Sequence, residues 1–222
     1  MRINPSENES VPSRLQNVQT NESMMQIKGK VIKYWHFVLG YMKNPVDVFQ
    51  QGKNEFGNGM ITAILFAVIA GVCQFAIQTN KDVSFLTVVS ETALFLIIGV
   101  AIASTSLFVI NKLFSAELSF KKMVGIYGTH MIASLILVCV TYILILVNFI
   151  AFGSALLVVL TSYTIFLLPL YILTRLLSEH ATNIDPLYSY VSYIVMFSIL
   201  YSIYLHIVTD RGVTIFFSNF LS

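Results

Sequence analysis

The sequence predicts an all-α, polytopic integral membrane protein, with five transmembrane helices preceded by an amphipathic helix on the membrane surface. Three observations lead there. The 51 residues 123–173 contain no Asp, Glu, Lys or Arg. One spanning helix needs about 20 apolar residues, so this stretch holds two spans and a tight turn. Hydrophobic residues make up 56% of the chain and charged residues 11%, against about 25% charged in a soluble domain. The basic residues, finally, gather in the segments that flank one side of the apolar runs.

Residues 1–27 are rich in Asn, Ser, Gln and Glu, with Pro5 and Pro12 and few large apolar side chains. Such a composition reads as a disordered tail. Residues 28–59 form the approach to the membrane. In 28–43, Tyr34, Trp35, Phe37 and Tyr41 interleave with Lys28, Lys30, Lys33 and Lys43. The apolar part is too short to span. Rings and ammonium groups together suit the headgroup region, which makes Lys33, Tyr34 and Trp35 interfacial anchors. The surface helix should end before Pro45. A second short helix then runs to about Phe56 and stops at Gly57-Asn58-Gly59.

The first span is 60–78. Ala63, Ala67 and Gly71 recur every fourth residue, a face of small side chains that lets another helix approach closely in lipid. The second span is 85–110, with Gly99 and Ala103 as a similar face and Glu91 in its first two turns. A carboxylate is costly deep in lipid, so Glu91 should meet the bundle, water or the interface. The third span is 123–147. Gly125, Thr129 and Ala133 share a face, and His130 sits about two turns in. A turn at 148–153 leads to the fourth span, 149–173, whose last turn Pro169 should kink or fray. The fifth is 187–208, carrying the stripe Tyr190, Tyr193, Phe197, Tyr201 and Tyr204, with His206 near its end. Residues 209–222 are a short amphiphilic tail.

Orientation follows from the thirteen Lys and Arg residues. Eleven fall on one side, in 1–59, in the 111–122 loop and at Arg175, and only Lys81 and Arg211 on the other. The positive-inside rule then puts the N-terminus in the cytoplasm and the C-terminus outside. The Lys, Asn and Ile usage suits an AT-rich bacterial genome, so the membrane expected is the bacterial cytoplasmic membrane.

The chain carries no phosphate loop, dinucleotide fingerprint or HExxH motif. No catalytic, cofactor-binding or metal-ligating set is expected, and the protein should not be an enzyme. Cys73 and Cys139 lie inside apolar runs and read as small buried residues. A net charge of +2 points to no nucleic-acid partner. The polar groups in or near spans are Glu91, His130 and His206. Glu91 and His206 could be neighbours near the outer face, where an acid and an imidazole can pass protons or bind a cation.

The aromatic approach from Tyr34-Trp35 to Asn44-Pro45, the closely spaced spans and the segment Gly125-Ile126-Tyr127-Gly128 resemble the Yip (Ypt/Rab-interacting protein) family, in its bacterial form. Two features differ. A proline often follows the Gly/Tyr segment in that family, where this chain has Thr129, His130 and Met131, and residues 1–27 lack the cysteines of a zinc ribbon. The resemblance implies a non-enzymatic membrane scaffold or accessory protein, whose partners are the bilayer and a membrane protein or a second copy. The alternative is a small transporter or permease subunit for a proton, ion or small solute.

Overall fold

The computed structural model describes residues 13–45, 49, 55–78, 83–114, 118–179 and 185–209. All regular structure among them is helical. The chain divides into two units, 1–43 and 44–222. The short helix expected between Pro45 and Phe56 and the tail 210–222 lie largely or wholly outside the described residues.

The first unit is one helix, α1 (Ser13–Lys43). It begins well ahead of Lys28, inside the segment that composition marks as disordered. No Pro or Gly occurs between Pro12 and Gly29, and Leu15, Gln16, Met24 and Met25 are good helix formers. Val31, Trp35, Leu39 and Met42 are all exposed, and their spacing aligns them on one face. That apolar stripe is the amphipathic character read from the sequence. Lys33 is exposed on the opposite face, and the Tyr34 ring lies 5.9 Å from Phe37.

Among its described residues, the second unit contains five helices long and apolar enough to cross a membrane. The first span is α2 (Phe56–Ile77), the second α3 (Phe85–Phe114) and the third α4 (Phe120–Leu146). The fourth is α5 (Ile150–Ser162), a π-turn (Tyr163–Leu167) and α6 (Leu168–Glu179) in sequence. The fifth is α7 (Pro186–Thr209). The protein is thus an all-α integral membrane protein. The third span is the best covered, 50% of its apolar window being buried, and the fifth the least, at 11%. The core lies where α2, α3 and α4 meet, and α7 packs at the edge, mainly on α3.

Gly57-Asn58-Gly59 does not stop a helix. It forms the first turns of α2, where Asn58 Nδ2 donates to Glu55 Oε2 at 2.6 Å and the Thr62 hydroxyl to the Asn58 carbonyl at 2.9 Å. Gly59 serves helix packing instead. A Cβ on Gly59 would lie 3.0 Å from the Gly125 carbonyl oxygen, and one on Gly128 would lie 2.7 Å from the Gly59 Cα. The first and third spans therefore touch backbone to backbone.

The connection between the third and fourth spans is tighter than residues 148–153. Asn148 has φ 68°, and α5 starts at Ile150. The Phe149 N–H donates to the Leu144 carbonyl and the Asn148 N–H to the Ile145 carbonyl, each at 3.0 Å. These two bonds close a Schellman cap with Asn in the left-handed position. Gly153 falls inside α5, where a Cβ would lie 2.6 Å from Ile145 Cγ1. Its role is close packing across the hairpin.

Pro169 does not fray the end of the fourth span. The helix continues to Glu179, and the ladder adjusts one turn earlier, at the π-turn. There the Leu168 N–H reaches back five residues to the Tyr163 carbonyl. In the same register the Thr164 carbonyl would take its hydrogen from residue 169, and proline has none.

Candidate functional site

The first group of polar side chains surrounds the Gly/Tyr segment of α4. Residues 125–132 are all buried, an apolar and glycine-rich turn of helix enclosed by its neighbours. The Tyr127 hydroxyl donates to the Thr164 carbonyl at 2.5 Å, and the Thr164 hydroxyl donates to Ser134 Oγ at 3.0 Å. Thr129 donates to the Gly125 carbonyl at 2.7 Å. His130 is 3% exposed. Its Nδ1 lies 2.9 Å from the Ile126 carbonyl, and since a carbonyl only accepts, this nitrogen carries a proton. The ring sits 5.0 Å from that of Phe49 and 5.7 Å from that of Tyr171. Aromatic packing and a local hydrogen bond together hold His130 in one orientation.

The second group lies at the opposite end, where α2 ends, α3 begins and α7 ends. A pocket of about 260 Å³ opens there, lined among others by Gln74, Gln78, Thr87, Glu91, Phe95 and Tyr204. Glu91 is exposed at its mouth, and Gln74 is buried in its wall. The Tyr204 hydroxyl is 3.5 Å from the Phe95 carbonyl, which ties α7 to α3 along one side. His206 is not part of this lining. It is exposed, and two residues of helix turn it about 200° from both Tyr204 and Val208, which do line the pocket. The structure therefore does not bring Glu91 and His206 together there.

No protein-family model matches the chain, and neither a curated protein nor a solved structure matches it. The geometry of the two polar groups is what speaks to function. Among the described residues no three His, Cys, Asp or Glu side chains gather as metal ligands would.

The small residues singled out from the sequence are distributed over several contacts. Gly71 is closed against Val89 of the second span, where a Cβ would lie 2.9 Å from the carbonyl oxygen. Ala67 and Ala103 are buried, while Ala63 and Ala133 are half-exposed. Gly99 admits Ile165 from the π-turn, its would-be Cβ 3.2 Å from Cδ1. Gly125 and Thr129 belong to the buried segment of α4. Cys73 is buried, whereas Cys139 is exposed on α4. Both lie in apolar runs, Cys73 on α2 and Cys139 on α4.

Sequence reasoning missed the packing role of Gly59 and Gly128, and the pair Gln74 and Gln78. The glycines were legible as Gly125-x-x-Gly128 facing a Gly shortly before the first apolar run. The glutamines were legible as two amides one turn apart at the end of a span.

Proposed function

We propose that this protein is a non-enzymatic membrane scaffold or accessory protein of the Yip-like kind, working through helix and partner contacts rather than by moving a solute. The observation that carries this is the setting of His130. The imidazole is fixed by the Ile126 carbonyl and packed between Phe49 and Tyr171. The Phe108–Phe120 ring contact sets the register of α3 and α4, and counting residues from it puts His130 roughly 10 Å along the bundle axis from Glu91. Between the two lie buried apolar residues such as Leu96 and Phe66. A proton or ion route needs polar groups in sequence, and these two titratable groups sit on different helices with buried apolar side chains between them.

The fifth span fits the same role. Leu187, Val191, Ile194, Ile199, Ile203 and Ile207 are exposed along it, a long lateral surface for lipid or another membrane helix. The basic residues favour a cytoplasmic N-terminus in a bacterial cytoplasmic membrane. The second reading, a small transporter or permease subunit, has the Glu91 pocket in its favour.

The test is cross-linking and co-purification from native membranes in mild detergent, comparing the full chain with one lacking residues 1–27. A stoichiometric partner supports the scaffold role, and its loss on truncation assigns docking to the tail. Solute flux in vesicles that falls on replacing Glu91 with Gln or His130 with Phe overturns the proposal in favour of transport.

A further inference from the structure

The pocket beside Glu91 has a chemistry that the scaffold role does not use. Its walls are mostly apolar, with Val88, Leu94, Phe95 and Ile98 of α3 along one side. Among its polar groups, two acceptors stand out. The Glu91 carboxylate accepts only. Gln78 Oε1 is buried and lacks a hydrogen-bond partner among the described residues, and a buried acceptor left so is costly. A volume of about 260 Å³ is just under the range of about 300–1,000 Å³ usual for small-molecule pockets. It suits a headgroup or a short chain, not a large cofactor.

We infer that this pocket binds a primary ammonium group carried on an aliphatic chain, the –NH₃⁺ donating to Glu91 and to Gln78 Oε1 while the first carbons lie against Leu94, Phe95 and Ile98. A primary ammonium offers three donors at one point and a full positive charge, which answers two separate acceptors at once. A hydroxyl offers one donor and no charge. A quaternary ammonium has the charge and no donor, so it leaves the Gln78 oxygen unsatisfied. Two sources carry this chemistry in a membrane: the headgroup of phosphatidylethanolamine and a free aliphatic amine. Lys81 and Asp82, in the adjoining loop, lie outside the described residues. The inference is independent of the scaffold role, since a scaffold and a transporter could each hold such a group.

The experiment uses the full chain in detergent and in nanodiscs. Calorimetry in detergent compares hexylamine with hexyltrimethylammonium. Native mass spectrometry of nanodiscs containing equal phosphatidylethanolamine and phosphatidylcholine reads the retained lipid. The expected result is hexylamine binding at least about tenfold tighter than its trimethylated analogue, since one charge-assisted hydrogen bond is worth about that factor. Glu91→Gln should weaken hexylamine by a similar factor, and Thr87→Trp should exclude it by filling the mouth. Both positions are exposed, so the fold should persist. Preferential retention of phosphatidylethanolamine, lost in Glu91→Gln, assigns the lipid as the source. Hexylamine selectivity without lipid selectivity assigns a free amine. Equal binding of both amines, or hexylamine binding that Glu91→Gln leaves unchanged, overturns the proposal.

Discussion

Tyr127 on the third span donates its hydroxyl hydrogen to the backbone carbonyl of Thr164 on the fourth, at 2.5 Å. Both residues are almost wholly buried. The bond supplies what Pro169 withholds, because the π-turn would otherwise pair that carbonyl with an N–H that proline lacks. Helix-breaking residues persist in membrane spans where a neighbouring helix satisfies the freed group. Here the neighbour is a single phenol.

Tyr127→Phe keeps the ring and strands the Thr164 carbonyl. It should destabilise the bundle by about 1–3 kcal/mol, measured as unfolding in a denaturing-detergent titration. Pro169→Ala restores an N–H at the right register. The Tyr127→Phe cost should therefore shrink in the Pro169→Ala background, and an undiminished cost there would show that the phenol serves another partner.

Gly128→Ala drives a methyl group onto the backbone of Gly59. Neither helix can yield by turning a side chain, so the loss should reach about 3 kcal/mol, the upper end for overpacking. At Gly57, on the same first turn of α2 as Gly59, an added methyl group would meet nothing within 4 Å. Gly57→Ala should be neutral or stabilising by up to about 1 kcal/mol through helix propensity. Thermal unfolding of the pair in one detergent separates packing from propensity.

His130→Phe preserves the ring contacts with Phe49 and Tyr171 and loses the bond to Ile126. A cost near 1 kcal/mol is expected, about that of one hydrogen bond. His130→Ala empties the space between two rings and should cost about 3 kcal/mol. If Phe is as damaging as Ala in the unfolding titration, the imidazole nitrogen matters more than the packing.

Asn148 holds a left-handed backbone at φ 68°. Asn148→Gly should leave stability unchanged or raise it slightly, whereas Asn148→Val should lose about 1–2 kcal/mol to the clash of its branched Cβ. The same unfolding titration checks both, and equal values would place the strain elsewhere in the hairpin.

The span count and approximate limits were legible because hydropathy integrates over some twenty residues. The second span runs to Phe114 where the apolar count ends at 110, since Asn111 and Lys112 continue a helix that simply becomes polar. Gly57 and Gly59 misled because two glycines beside an apolar run read as a helix stop until the Gly125 and Gly128 against which Gly59 packs are in place. The π-turn was illegible for the same reason: Pro169 announces a disturbed ladder, but its location depends on where Tyr127 can reach. Glu91 was recognisable as a group near a helix end. Its pocket was not, because the walls come from two consecutive helices and a third over a hundred residues further along the chain.

The spans differ in length. The first has 22 residues and the second 30, about 33 Å and 45 Å end to end. A hydrocarbon layer about 30 Å thick fits the shorter helix with almost no inclination. The longer one must lean or stand proud of it. Held together at Gly71 and Val89, the two cannot both match one membrane, so the bundle carries a built-in preference for bilayer thickness. Thinner and thicker membranes would load the contacts between them, Phe75–Phe85 and Gly71–Val89 among them, in opposite senses.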